Sequence, residues 1–151
     1  MKLKRLLIVA SAFSSALFLS ACATTPDGTQ ERVTTDSLLQ GGEWVVEDLG
    51  GKGIIDSSYI SIVFMDENRV GGSSSCNRYS GEYQLSGSGF TVGDNMVSTR
   101  MACPPALMNQ EDYFLTLLLN VNQARFGDHD ELLLSTPSGE TIRAFQSSPK
   151  P

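Results

Sequence analysis

The feature that most constrains the fold is a series of short β-type segments separated by turn residues, which begins near residue 43. Alternating apolar and polar residues, or β-branched and aromatic runs, predict strands, whereas Gly, Asn, Asp and Pro between them predict turns. Such segments, at intervals of roughly 8 to 12 residues, are typical of an antiparallel meander or barrel. They lie at residues 43–47, 59–64, 69–72, 80–85, 90–92, 96–99, 123–126, 131–134 and 141–145.

One segment departs from this pattern and predicts a helix. Pro104 and Pro105 open a stretch that reaches Asn120, in which apolar residues recur near helical spacing. Proline suits the first turn of a helix because its missing N–H is not needed there. The predicted fold is therefore mainly β, of the α+β class: a small antiparallel β-barrel-like domain with one packed helix.

The amino terminus predicts export. Three basic residues among the first five precede an uncharged apolar run at residues 6–19. This run is too short for a permanent membrane helix, which needs about 20 residues, and it fits the apolar region of a signal peptide. It ends in Leu-Ser-Ala-Cys at residues 19–22, which matches the lipobox of bacterial lipoproteins at every position.

The lipobox predicts a lipid anchor. We expect residues 1–21 to be removed and Cys22 to carry acyl chains (palmitate) that hold the protein on a membrane. The alternative is an ordinary secretory signal followed by an incidental cysteine. Ala23 stands where an aspartate tends to retain lipoproteins at the inner membrane. We therefore expect attachment to the outer membrane, facing the periplasm.

The charge of the mature chain limits its partners. Three of the 11 basic residues and none of the 17 acidic residues lie in the signal, which leaves 8 basic and 17 acidic side chains and a formal charge of −9. Such a chain is repelled by phosphate backbones and by anionic lipid surfaces. Nucleic acid is excluded as a partner, and membrane contact is expected only through the lipid.

Composition divides the mature chain into three parts. Residues 22–41 are rich in Thr, Gln, Asp, Pro and Gly and predict an acylated cysteine followed by a flexible tether. Residues 42–146 carry the strand and helix signals and form the domain. Residues 147–151 are expected to be a disordered tail.

The two remaining cysteines predict a disulfide. With Cys22 acylated, Cys76 and Cys103 form an even pair, which in an oxidising compartment most often becomes a bridge. Free or metal-binding thiols are the alternative. The distant His129 does not complete a zinc spacing with them, so no metal site is predicted.

Two motifs in the domain resemble the META domain, or HslJ-like, family of small bacterial envelope proteins. The first motif surrounds Cys76, the second surrounds Cys103, and a glutamate and a phenylalanine follow in the helix. Ser75 departs from the family pattern, which usually has a glycine at that position. The matching residues are Trp44, Cys76, Asn77, Tyr79, Gly81, Tyr83, Thr99, Met101, Ala102, Cys103, Pro104, Glu111 and Phe114.

The resemblance implies a barrel of lipocalin-type topology with one helix packed against it. It also implies an association with heat shock, envelope stress and resistance to antibiotics such as novobiocin. It implies no catalytic activity and no cofactor, so the motif residues are interpreted as structural. We expect Gly81 to mark a bulge or tight bend, and Glu111 to accept hydrogen bonds from backbone near Cys76 or Cys103.

Catalytic interpretations of individual residues are weak. His129 lies between two aspartates in a predicted turn and has no placed nucleophile for a Ser-His-Asp arrangement. Glu111 and Asp112 are adjacent on a helix, and a location near its amino terminus would already explain both. Asp128, Asp130 and Glu131 lack the further ligands of a calcium loop. The sequence therefore predicts that the protein is not an enzyme.

Three functional hypotheses follow. The first is an envelope protein whose domain binds another protein. The second is a small-molecule binder that uses the mouth of the barrel. The third is a hydrolase inhibitor, which would require an exposed, rigid loop at residues 71–82.

Overall fold

The structure, a computed structural model, describes residues 32–147. The predicted signal peptide, Cys22 and residues 148–151 of the predicted tail lie outside this part of the chain. Within it there are nine strands and two helices: α1 (Thr35–Gln40), β1 (Glu43–Leu49), β2 (Ser61–Met65), β3 (Arg69–Ser73), β4 (Arg78–Ser86), β5 (Gly89–Val92), β6 (Val97–Ser98), α2 (Pro105–Asn120), β7 (Gln123–Phe126), β8 (Leu132–Ser135) and β9 (Thr141–Gln146).

The strands form a closed antiparallel barrel. Their order is β3-β2-β1-β9-β8-β7-β5-β4-β6, and an additional pairing of β3 with β4 closes eight of them into a ring. The short strand β6 pairs with β4 outside this ring. Closure removes the free edges that an open sheet would expose. The predicted fold class is confirmed.

Side chains of the chain itself fill the barrel. Strand residues alternate between the two faces, so each strand sends a row of apolar side chains inward. Phe64 packs edge-on against Tyr83 and Phe90, with ring centroids 5.2 and 6.0 Å away. Helix α2 adds Phe114, Leu117 and Leu118 to the same core. The barrel-mouth form of the ligand hypothesis stays a prediction, limited to the space that these side chains leave.

The predicted tether was too long, because residues 33–41 belong to the fold. Thr34 and Ser37 form a capping box that starts α1. Leu38 in this helix is fully buried, and Val33 before it also joins the core. The indole N–H of Trp44 donates to the carbonyl oxygen of Leu38 at 3.4 Å. The polar composition predicted a coil, but burial of Val33 and Leu38 stabilises this segment against the domain.

The expected bulge at Gly81 was also wrong. The ladder between β3 and β4 is regular there, with Gly81 opposite Val70. A Cβ at Gly81 would lie 3.5 Å from Met96, an ordinary van der Waals contact. The register shift lies instead in β1, between Val46 and Asp48.

Candidate functional site

The two sequence motifs meet at Asn77, which follows a tight turn between β3 and β4. The carbonyl oxygen of Asn77 accepts hydrogen bonds from the backbone N–H and the hydroxyl of Ser74, at 2.7 and 2.8 Å. Its side-chain oxygen accepts from the hydroxyl of Thr99 at 2.9 Å and from the N–H of Met101 at 2.7 Å. One buried amide thus connects the two motifs, which are more than 20 residues apart in the chain.

Glu111 is the partner of Asn77 on helix α2. Its carboxylate accepts from the Asn77 backbone N–H at 3.0 Å and from the side-chain amide at 3.2 Å. This confirms the expected bond to backbone near Cys76. The helix-terminus explanation was wrong, because the first turn of α2 holds no acid and the dipole acts mainly within that turn. Asp112, its neighbour, is exposed.

A disulfide fixes the same junction covalently. Cys76 and Cys103 are bonded, with Cα atoms 6.0 Å apart. The bridge joins the turn before Asn77 to the segment that enters α2. The hydrogen bonds of Asn77 and the disulfide therefore hold the same three elements: the β3–β4 turn, residues 99–103 and the helix.

The aromatic motif residues support the core. Tyr79 is buried, donates from its hydroxyl to the carbonyl oxygen of Ser61 at 3.1 Å and packs edge-on against Phe114. Burial raises the pKa of Tyr79 well above its usual value, so the phenol stays neutral. Burial is also the main cause of the raised pKa of Tyr83. Trp44 stacks on Phe126 with centroids 5.8 Å apart.

Two motif residues stand at the start of α2 and before it. The carbonyl oxygen of Pro104 accepts from the N–H groups of Leu107 and Met108, which begins the helix. Met101 contributes its backbone to the junction, but its side chain is 59% exposed. Met101 is therefore the large apolar motif residue whose side chain the interior does not explain.

The residues considered for catalysis do not assemble. The N–H of His129 donates to the carboxylate of Glu131 at 2.8 Å, and the ring is exposed in its turn. Hydrogen bonds from the backbone N–H groups of Glu131 and His129 lower the pKa of the Glu131 carboxyl. Among residues 32–147, no three His, Cys, Asp or Glu side chains are grouped to hold a metal ion.

The inhibitor hypothesis required an exposed loop at residues 71–82, which the structure contradicts. This segment consists mainly of β3 and β4, and only Arg78 and Glu82 in it are exposed. In the part of the chain that is described, no helix is long and apolar enough to cross a membrane.

Ser75, the departure from the family motif, adopts a conformation that favours glycine. Its φ is 98°, a left-handed value that costs a residue with a Cβ about 1–2 kcal/mol. Its hydroxyl hydrogen-bonds to that of Ser58 at 2.9 Å, which offsets part of this cost.

We therefore expect Ser75→Gly to be more stable than Ser75→Ala by about 1 kcal/mol in urea unfolding. Both variants lose the hydroxyl. Glycine relieves the strain but gains freedom in the unfolded chain, whereas alanine keeps the strain. Equal stabilities of the two variants would show that the backbone at this position is not strained.

Sequence analysis missed a groove on the outside of the barrel. It has a volume of about 550 Å³ and crosses strands β2, β3, β4 and β6. Here this outer groove is defined by Val63, Met65, Arg69, Gly71, Arg78, Ser80 and Val97. The two motifs contribute Tyr79 and Thr99 to its lining. The sequence alone does not reveal a groove there, because its residues come from four strands and only their register brings them together.

Comparison with known proteins agrees with this architecture. A solved NMR structure is 28% identical over 76% of this chain and 95% of its own, with a TM-score of 0.60. An NMR structure of a Burkholderia xenovorans protein is 22% identical over 94% of this chain and all of its own, again with a TM-score of 0.60. A DUF4847 family protein from Bacteroides vulgatus is 16% identical over 78% of this chain and all of its own, with a TM-score of 0.57. No curated protein matches significantly.

The family assignment rests on a match that covers most of the chain. The model of the META domain matches residues 37–149. The match begins inside α1, in agreement with the helix being part of the domain. It includes Asn77, Glu111 and both bridged cysteines, whose contacts explain why the two motifs occur together. The chain belongs to the META domain family.

Proposed function

We propose that the protein is a lipoprotein of the outer membrane, facing the periplasm, whose META domain works without catalysis by binding another envelope protein. The protein would act in the response to envelope or heat stress, or in resistance to novobiocin-type antibiotics. The lipobox at residues 19–22 supports the anchor, and membership of the META family is the reason for the stress setting.

The exposed side chain of Met101 carries the binding proposal. When a partner covers a large apolar side chain that was in contact with water, the free energy falls. Methionine is flexible and adapts to many surfaces. Met108, on the exposed face of the following helix, is 44% exposed and extends the apolar character of this segment. The backbone of Met101 is held by Asn77, so the side chain is presented on a fixed support.

The buried polar groups support a role without catalysis. Both carboxylate oxygens of Glu111 accept from Asn77, and the side-chain oxygen of Asn77 accepts two further bonds. A general acid or base must reach a substrate proton. These groups are instead used to hold the fold together.

The test of binding uses position 101 of the full-length protein in cells. A photo-crosslinking amino acid there is expected to yield a discrete adduct with one envelope protein, whereas the same label at the exposed Gln84 yields none. A Met101→Asp strain should lose stress survival as a deletion strain does, and Gln84→Asp should not. Wild-type survival of Met101→Asp at normal protein levels would exclude this surface.

The anchor has a separate test. Cys22→Ser removes the acylated thiol, so we expect the protein to leave the membrane fraction and to remain unprocessed or poorly processed. Denatured mass spectrometry of the wild-type protein should show the acyl mass on Cys22. If the variant stays in the membrane fraction as the wild type does, the lipid anchor is excluded.

A second candidate function, binding of a small molecule, is favoured by the outer groove rather than by the barrel interior.

A further inference from the structure

The outer groove is a trough built by strand register. Val63 pairs with Gly71, Gly71 with Ser80, and Ser80 with Val97. Residues paired across antiparallel strands point to the same face, so these four form a row across the outside of the barrel. The row spans three strand spacings, about 14 Å. Its two middle positions carry no side chain or a small one, which leaves a depression between two valines.

The floor and walls of the trough are fixed by packing. A Cβ at Gly71 would lie 2.8 Å from the carbonyl oxygen of Tyr79 and 3.3 Å from the terminal carbon of Met65. The floor therefore stays open only with glycine there. Met65 and Val97 are 37% and 66% exposed and give the trough apolar walls.

Two arginines flank this floor, one on each side along the strands. Arg69 and Arg78 both line the groove, and no Asp or Glu does. The guanidinium of Arg69 donates to the hydroxyl of Ser80 at 3.4 Å, although Glu82 is its partner across the strands. Within residues 32–147, neither guanidinium is in an ion pair with a carboxylate.

This concentration of positive charge is unusual for the molecule. Residues 32–147 contain 7 basic and 15 acidic side chains. Two of the seven converge on one apolar trough and have no carboxylate partner there. An anionic ligand would supply the missing partner, and arginine forms paired hydrogen bonds with a carboxylate.

We propose that the outer groove binds a single-chain amphipathic carboxylate. Its head lies over Gly71 between Arg69 and Arg78, within reach of the Ser80 hydroxyl, and its alkyl chain lies against Val97 or Met65. A volume of about 550 Å³ is in the range that takes one small ligand. The row has one depression, between Val63 and Val97, which suits one chain rather than the two of a phospholipid. This site goes beyond the proposed protein contact at Met101 and does not rest on it.

The test is a titration of the full-length, ¹⁵N-labelled protein in nanodiscs of zwitterionic lipid. Octanoate is expected to shift the amide signals of Gly71, Ser80 and Val97 with saturation. Octylammonium has the same number of carbon atoms and the opposite charge and is expected to leave them in place. Octyl phosphate separates a general anion site from a carboxylate site, and its binding without octanoate binding would overturn the proposal.

Variants assign the binding to the arginines. Arg69→Gln/Arg78→Gln should weaken octanoate binding at least ten-fold, and Arg125→Gln, an exposed arginine on β7, should leave it unchanged. All of the replaced side chains are exposed, so dispersed spectra are expected for each variant. Equal shifts with octanoate and octylammonium, or wild-type affinity of the double variant, would each overturn the proposal.

Discussion

Glu111→Ala is expected to lower the free energy of unfolding by about 4 kcal/mol, a large share of the 5–15 kcal/mol typical of a domain. The change removes the acceptor for the Asn77 backbone N–H and side-chain amide, both of which are buried. Each buried donor left without a partner costs about 1–3 kcal/mol. Urea unfolding followed by the fluorescence of Trp44 measures the loss.

Asp112→Ala is the matched control, because this carboxylate is exposed on the next residue of the same helix. Its effect should stay within about 0.5 kcal/mol. A double-mutant cycle with Asn77→Ala should show strong non-additivity, since the two side chains bond to each other. Equal effects of the Glu111 and Asp112 changes would mean that the Asn77–Glu111 contact contributes little to stability.

Loss of the disulfide should cost nearly as much. The bridge closes a loop between residues 27 positions apart, and in the chain-entropy model such a loop is worth about 3.5 kcal/mol. We expect Cys76→Ser/Cys103→Ser to lower the urea midpoint accordingly, and reduction of the wild-type protein to reproduce the shift.

The double serine variant should be insensitive to reductant, which is the internal control. Combined with Glu111→Ala, it should leave little folded protein, because both changes loosen the β3–β4 turn from the helix. A urea midpoint equal to that of the wild type would show that the bridge adds nothing to stability.

Much of the fold follows from local patterns in the sequence. Every predicted strand has a counterpart, since alternation and turn residues act over a few positions and survive in the folded chain. The helix prediction to Asn120 is confirmed as well. Such patterns fail where a segment carries few local signals. Helix α1 was missed because Leu38 and Leu39 are the only apolar pair in a polar stretch.

The candidate site was only partly predictable. The motif residues were found, and the role of Glu111 as acceptor was anticipated, but its bond to the Asn77 side chain needs the helix placed against the β3–β4 turn. The exposure of the Met101 side chain could not be read from the motifs, whose other large apolar residues are buried. The outer groove depends on the register of four strands, which local sequence does not specify.

The place of β1 in the barrel has a consequence for the order of folding. This strand pairs with β2 on one side and with β9, the last strand of the described chain, on the other. A chain that emerges amino terminus first cannot close its barrel until residues 141–146 are free. Until then β1 and β8 expose unpaired edges, which are prone to non-native association. Contacts between the two ends of a chain are also slow to form. Pairing of the last strand is therefore the step that completes the fold. A chain cut before residue 141 should aggregate rather than persist as a smaller barrel.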